Sequence, residues 1–161
     1  MEKFTRYINS PIGWLEIQST ETTLTAICFV DKEANNSTIQ PKILDEVEAQ
    51  LKEYFAGKRK AFNLQLTPEG TEFQQKIWQL VQQVEFGVTA SYLDIAKQSG
   101  SDKNTRAVGL ANGKNPIPII IPCHRIIGSS GKLTGYAGGL ERKRWLLTHE
   151  LSNAPTSGKL F

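Results

Sequence analysis

P-I-P-I-I-I-P-C-H-R-I-I, residues 116–127, is the stretch around which the C-terminal half of the chain is built. Residues 117–121 are apolar and rich in β-branched side chains, which predicts a buried extended segment. Pro116 and Pro122 bracket the run and Pro118 lies within it, so no helix continues through it on either side. One cysteine, one histidine and one arginine follow directly. A nucleophilic thiol needs help to lose its proton and a rigid seat. His124 and Arg125 supply positive potential, and the proline-rich backbone supplies the seat. A cysteine at the end of an apolar run is ordinarily a core residue. Here the charged His-Arg pair and the polar, glycine-rich sequence beyond it predict that this end reaches a surface.

Upstream, Ser91 caps a short helix predicted from Tyr92 to Ser99. Gly100 turns the chain, and Ser101 or Asp102 caps a second helix to about Asn112. Two short helices joined by a tight glycine turn predict a helix-turn-helix. The second is rich in small residues, Ala107, Gly109, Ala111 and Gly113, which allow close approach to another surface. Arg106 is the one long side chain near its start. Before these, Thr71-Glu72-Phe73-Gln74 has the form of a capping box. It opens a helix with Phe73, Ile77, Leu80, Val81 and Val84 on one face. Downstream, 128–131 reads as a tight turn. Gly135-Tyr136-Ala137-Gly138-Gly139 is flexible backbone with one aromatic. A last helix spans about 140–150, with Leu140, Leu147 and Trp145 or Leu146 facing inward.

The N-terminal half reads differently. Strands are predicted at 4–8, 12–19 and 23–30, with turns at Ser10-Pro11 and Glu21-Thr22. Cys28 lies in an apolar run and reads as a buried strand residue. A helix starts near Pro41, carries Leu44, Val47, Leu51, Tyr54 and Phe55 at helical spacing, and stops at Gly57. Phe62, Leu64 and Leu66 alternate as in a strand, and Thr67-Pro68-Glu69-Gly70 reads as a linker. The division is therefore an α/β domain over 1–68 and a mainly helical domain over 69–161.

Composition narrows the class. The chain has 161 residues, enough for a core in two small domains. It has no apolar stretch of bilayer length and no secretory signal pattern. Two cysteines make no disulfide framework, which fits a reducing compartment. Residues 1–69 carry 8 Lys+Arg against 10 Asp+Glu, whereas 70–161 carry 11 against 6. A basic C-terminal half suits contact with phosphates.

A thiol needs a base, and the only histidines are His124 and His149. Neighbouring side chains on an extended backbone point to opposite faces, so a water between Cys123 and His124 is plausible. A carboxylate best orients a histidine base. Glu141 and Glu150 are the acidic residues after the cysteine, and spacing alone does not choose between them.

The string N-P-I-P-I-I-I-P-C-H-R-I-I resembles the active-site signature of the O6-alkylguanine-DNA alkyltransferases. S-Y-L-D-I-A (91–96), T-R-A-V-G (105–109), S-S-G-K-L-T-G-Y-A-G-G-L (129–140) and K-R-W-L-L-T-H-E (143–150) resemble family segments in the same order. The resemblance is specific over about 70–151 and compatible over 1–69. It implies a ribonuclease-H-like α/β domain followed by a winged helix-turn-helix. It implies a DNA repair activity, irreversible transfer of an alkyl group from O6 of guanine to Cys123, with O4 of thymine a second candidate. It chooses Glu150, giving a Cys123–water–His124–Glu150 relay, with His149 structural.

The same resemblance implies that Tyr136 is the donor to the leaving guanine, with Lys143 a helper, and that Asn115 is the hinge before the active-site segment. It implies that Pro118 and Tyr136 wall the base pocket and that backbone near Ile126, Ala137 and Gly138 reads the guanine edge. Tyr92, Thr105, Arg106, Gly109 and Ser129 form the DNA-facing set. Tyr92 drives nucleotide rotation and Arg106 fills the vacated stack. The implied partner is double-stranded DNA, bound by a cytoplasmic monomer, nucleoid-associated in a prokaryote. No cofactor is expected. With one cysteine and no histidine in 1–69, neither is the zinc some relatives hold there. Asn112, Thr134 and Ala137 stand where pocket residues vary in the family. A lesion-binding relative without the nucleophile, a transcription regulator and a thiol hydrolase are the competing readings. Each leaves Cys123, His124 or Arg106 without a use.

Overall fold

In the N-terminal unit three strands form an antiparallel sheet in the order β1-β2-β3: β1 (Phe4–Ser10), β2 (Gly13–Ser19) and β3 (Leu24–Val30). The structure is a computed structural model that describes residues 2–131, 133, 135–136 and 138–154. They fall into two units, Met1–Glu69 and Gly70–Phe161.

Alternation along β1 and β2 puts Phe4, Ile8, Leu15 and Ile17 into the core, and a register shift at Gln18/Ser19 accompanies the burial of both Leu24 and Ile27 on β3. Helix α1 (Lys42–Phe55), directly after Pro41, adds Ile43, Leu44, Val47, Leu51 and Tyr54 to that core. Arg6 on β1 reaches α1, pairing with Asp45 at 2.8 Å and Glu48 at 3.0 Å. The free edge of β1 is covered by the following loop: Ser37 N donates to Thr5 O, and Asn36 Oδ1 accepts from Tyr7 N.

Two expectations fail in this unit. Cys28 is exposed, not buried. The apolar run hid a period of two: Ile27 points inward, and Cys28 pairs with Glu16 on the outer face, where Glu16 also accepts from the Tyr7 hydroxyl. Residues 62–66 are not a strand either. Phe62, Leu64 and Leu66 alternate with exposed neighbours, but the only ladder contact is a parallel bridge between Leu66 and Leu24. Phe62 instead packs its ring against Tyr54, with centroids 5.4 Å apart.

The C-terminal unit opens with α2 (Glu72–Gln82), and Thr71 and Gln74 close the capping box. After β4 (Ala90–Ser91), Ser91 and Asp94 form a second capping box on α3 (Tyr92–Ser99). Gly100, at φ +124°, stops α3. A 3₁₀ turn at Asp102–Asn104, capped by Ser101, leads into α4 (Thr105–Gly113). Helix α4 packs on α2 and α3. The contact turns on Trp78, a residue outside the predicted α2 face, whose buried indole donates to Ala111 O at 2.9 Å. Strand β5 (Ile126–Ile127) pairs in parallel with β4, and α5 (Leu140–Asn153) closes the unit. Leu146 and Leu147 are buried in α5, but Leu140 is exposed because it is the first residue of the helix.

The segment 117–121 is buried, as its composition predicts, but it is not extended. Ile121 N donates to Ile117 O, closing a turn, and Ile119 takes φ +76°. Asn115 holds this turn from inside: its Oδ1 accepts from Ile117 N at 2.9 Å and its Nδ2 donates to Ile121 O at 2.8 Å. A β-branched residue in the left-handed region costs on the order of 1–3 kcal/mol. The two side-chain bonds help hold the chain there against its β preference.

Candidate active site

Four elements of the C-terminal unit converge on Cys123. The β4–β5 pairing, Ala90 with Ile126 and Ser91 with Ile127, sets the start of α3 beside the active-site turn. From the end of α4, Asn112 Nδ2 donates to Cys123 O at 3.3 Å. Asn115 holds the turn before the cysteine. Helix α5 contributes Lys143 and Glu150, both buried.

Cys123 opens a 3₁₀ turn, Cys123–Arg125. The alternation expected of an extended backbone therefore does not apply to Cys123 and His124. Nor does Cys123 lie at the surface: it is 3 % exposed, and exposure begins only at Ser129 and Ser130. Burial pushes the thiol up to about 11. The Asn115 side-chain amide, the Lys143 ammonium and the N–H groups of Cys123 and His124 act against burial and favour the thiolate. At neutral pH the resting group is a thiol.

His124 is fully buried, and its Nε2 lies 2.6 Å from Glu150 Oε2. Burial pulls the imidazole below its ordinary value. The Glu150 carboxylate opposes this, while Arg125 and Lys143 add to it. The ring is therefore neutral at rest. With Nε2–H donated to the carboxylate, Nδ1 is the nitrogen that carries the lone pair. Nδ1 is buried and has no hydrogen-bond partner among the described residues.

Glu150 is also gripped by Arg125, whose Nε donates to Oε1 at 2.8 Å and whose Nη2 donates to Oε2 at 3.0 Å. Burial alone would raise the Glu150 carboxyl, but His124 and Arg125 outweigh it and hold the group well below the usual carboxylate range. Arg125 is fixed in turn by Val84 O at 2.7 Å and lies over the Phe86 ring. In the sequence Arg125 offers only positive potential. Its bidentate hold on Glu150 is not visible there because the carboxylate lies 25 residues away, on a helix.

Lys143 Nζ donates to Ile126 O at 2.7 Å and lies 5.9 Å from the centre of the Tyr92 ring. Burial lowers this ammonium to about 8, with the Cys123 sulfur acting the other way. The Ile126 backbone is thus already engaged on both sides, since its N–H bonds to Cys123 O. The Tyr136 hydroxyl is buried, and burial pushes it well above the ordinary phenol value. Pro118 and Gly138 are buried, and Gly138 O accepts from Arg142. Ala137 and Thr134 lie outside the described residues.

The predicted DNA-facing residues lie mostly on α3 and α4. Arg106 is exposed, and Tyr92, Thr105 and Gly109 are half-buried. Ser129 sits on the exposed turn closed by Gly131 N donating to Gly128 O. Among the described residues no group of three or more His, Cys, Asp or Glu is placed to hold a metal ion.

Comparison with known proteins places both units. The model of the 6-O-methylguanine DNA methyltransferase ribonuclease-like domain matches residues 3–68, and that of the DNA binding domain matches 72–152. The methylated-DNA–protein-cysteine methyltransferase of Mycolicibacterium paratuberculosis is 45% identical over 160 residues, covering 97% of each chain. That of Methanosarcina acetivorans is 45% identical over 146 residues, covering 88% of this chain and 94% of its own. The crystal structure of the Mycobacterium tuberculosis O6-methylguanine methyltransferase superposes with a TM-score of 0.86 at 44% identity, covering 97% of both chains. The Mycobacterium tuberculosis OGT in complex with DNA superposes at 0.85, 46% identical, over 94% of this chain and 95% of its own. With both of its units matched and near-full-length relatives at this identity, the chain belongs to the 6-O-methylguanine DNA methyltransferase family.

Proposed function

We propose that the chain repairs O6-alkylguanine in double-stranded DNA by moving the alkyl group onto Cys123. One observation carries the reading: a buried thiol stands next in sequence to a neutral histidine whose far nitrogen is held by a carboxylate that Arg125 grips.

The Cys123 proton passes through a water to His124 Nδ1, and Glu150 stabilises the imidazolium that results. The sulfur attacks the alkyl carbon in line. The S–C bond forms as the C–O6 bond breaks, and the electron pair goes to the guanine. Tyr136 donates to the base as it leaves, Lys143 supports the developing negative charge, and the guanine ends protonated. The product at Cys123 is a thioether, which has no hydrolytic exit, so each molecule reacts once.

The target atom is shielded in a stacked duplex, so the nucleotide is flipped out at a cost of roughly a few kcal/mol. Tyr92 drives that rotation, and Arg106 enters the stack it leaves. Thr105, Gly109 and Ser129 bear on the backbone. Asn115 is the hinge of the active-site segment, and Pro118, Tyr136, Ala137 and Gly138 shape the base pocket. O4-alkylthymine is a second substrate. The division into a 1–68 domain and a 69–161 domain belongs to the same reading. So does a monomer acting in the cytoplasm, at the nucleoid in a prokaryote; no described helix is long and apolar enough to cross a membrane.

Intact mass after mixing with an O6-methylguanine duplex tests the proposal. The expected result is a gain of one methylene, mapped to Cys123 and saturating at one equivalent. Turnover beyond one equivalent, or a lesion that stays methylated while bound, would overturn it.

A further inference from the structure

Leu110 is 64% exposed, a large apolar side chain left in water on a helix that is otherwise well seated. The inner face of α4 buries Val108, Ala111 and Asn112, and the Trp78 indole bonds to Ala111 O. The outer face is narrow. Leu110 follows Arg106 by four residues, so the two side chains stand one turn apart on the same face. Around them are Ala107, Gly109 and Gly113, none of which reaches beyond the helix surface. A Cβ built on Gly113 meets nothing within 4 Å. Arg106 and Leu110 are thus two projecting side chains on a smooth ridge.

Core packing does not account for Leu110, and a solvent-exposed leucine at this position gains nothing over lysine or glutamine. The ridge belongs to the stretch matched by the DNA binding domain model, residues 72–152. The half of the chain that carries it has 11 basic and 6 acidic residues. Apolar wedges set beside a cationic side chain are the means by which proteins hold open a base step from the minor groove.

We propose that Leu110 is a second intruding residue, an apolar wedge that enters the minor groove beside Arg106 and keeps the neighbouring base step unstacked while the target nucleotide is out. The assignment rests on the reading of α4 as the DNA-facing helix. Arg106 replaces the missing base with a planar cation, whereas Leu110 contributes shape and desolvation. Their signatures therefore differ. Loss of a charged contact flattens the dependence of log Kd on log salt, but loss of an apolar contact weakens binding at every salt with the slope unchanged.

The test uses the full chain with a methylated-guanine duplex carrying 2-aminopurine in the step beside the lesion. Leu110→Ala, Leu110→Met and Arg106→Ala are compared with the parent by fluorescence anisotropy at several salt concentrations. Alanine is the better helix former at an exposed site, so a weaker complex does not come from an unfolded helix. The expected result for Leu110→Ala is about tenfold weaker duplex binding with the parent salt slope, and a smaller rise in 2-aminopurine fluorescence. The ratio of duplex to free-base transfer rate falls by a similar factor, and Leu110→Met recovers most of both. Parent-like binding and fluorescence in Leu110→Ala, with a defect in Arg106→Ala, would overturn the wedge and leave the DNA-facing helix standing. Parent-like behaviour in both variants would overturn the reading of α4 as well. Equal slowing of duplex and free-base transfer would assign Leu110 to the pocket and also overturn the wedge.

Discussion

His124 and Arg125 share one carboxylate, and that sharing decides how the site handles a proton. Arg125 keeps Glu150 ionised, so the carboxylate always has a lone pair for His124 Nε2–H, and the imidazole is held in one tautomer. Glu150→Gln keeps the size of the side chain but offers Arg125 a neutral partner. Breaking such a buried pair costs about 3–5 kcal/mol when a charge is left bare, and somewhat less here because the Gln carbonyl still accepts. Single-turnover transfer is expected to slow by about 10- to 100-fold, less than the 10²–10⁴ that a base itself contributes. Duplex affinity stays close to the parent value. Without the carboxylate, only influences that lower the His124 pKa remain, so the acid limb of the pH–rate profile shifts to lower pH. An unchanged rate near neutral pH would remove Glu150 from the relay. Sequence pattern alone left Glu141 and Glu150 open, and family resemblance chose between them. The arginine clamp was legible in neither way, because it depends on where α5 delivers the carboxylate.

Helix α4 presents Arg106 outward while its other face packs on α2, so the proposed role of Arg106 can be tested apart from the chemistry. Arg106→Ala is expected to lower the duplex transfer rate far more than transfer from the free modified base, because only the duplex reaction includes the few kcal/mol of unstacking. Arg106→Lys recovers part of the loss, since it keeps the charge but not the planar guanidinium. Equal slowing of both substrates would assign Arg106 to the fold. Helix α4 was not legible from its cap, because Ser101 caps the 3₁₀ turn Asp102–Asn104 and α4 starts at Thr105 without a side-chain cap; α2 and α3 were, from Thr71 with Gln74, from Ser91, and from Gly100 after α3. Local hydrogen bonds write those signals into adjacent residues. The turn at 117–121 was not legible, because isoleucine ordinarily favours strands. Its conformation follows from Asn115, whose two bonds hold Ile119 in a region that isoleucine avoids. Residues 62–66 failed for the converse reason. Alternating burial needs only one packed face, whereas a strand also needs a continuous ladder for its backbone, and this segment has a single bridge to Leu24, bonded through Gln65 O and Thr67 N.

For the C-terminal unit as a whole, two buried groups of the site pull stability in opposite directions as pH rises. Cys123 is raised from 9.0 to about 11, so between those values the folded chain keeps a proton that the unfolded chain has released. Its contribution is complete below pH 9 and is lost as pH climbs toward 11. Lys143 is lowered from 10.5 to about 8, so between those values the unfolded chain holds the extra proton and stability rises with pH. From pH 9 to 10.5 the two trends oppose each other, and the thiol's effect is masked in the parent protein. Comparison with Cys123→Ala unmasks it. The difference in unfolding free energy, parent minus variant, is expected to shrink by about 2 kcal/mol between pH 9 and 11, because each tenfold change in proton concentration is worth roughly 1.4 kcal/mol inside that window and less at its two ends. A thioether has no proton to hold, so the parent methylated at Cys123 should follow the variant's pH dependence. Urea unfolding read by Trp78 and Trp145 at pH 8, 9, 10 and 11 makes the measurement, because both indoles lie in this unit. If the parent and variant curves run parallel from pH 9 to 11, the thiol titrates near its ordinary value. The site would then be open to water, and burial would not be what keeps the thiol protonated.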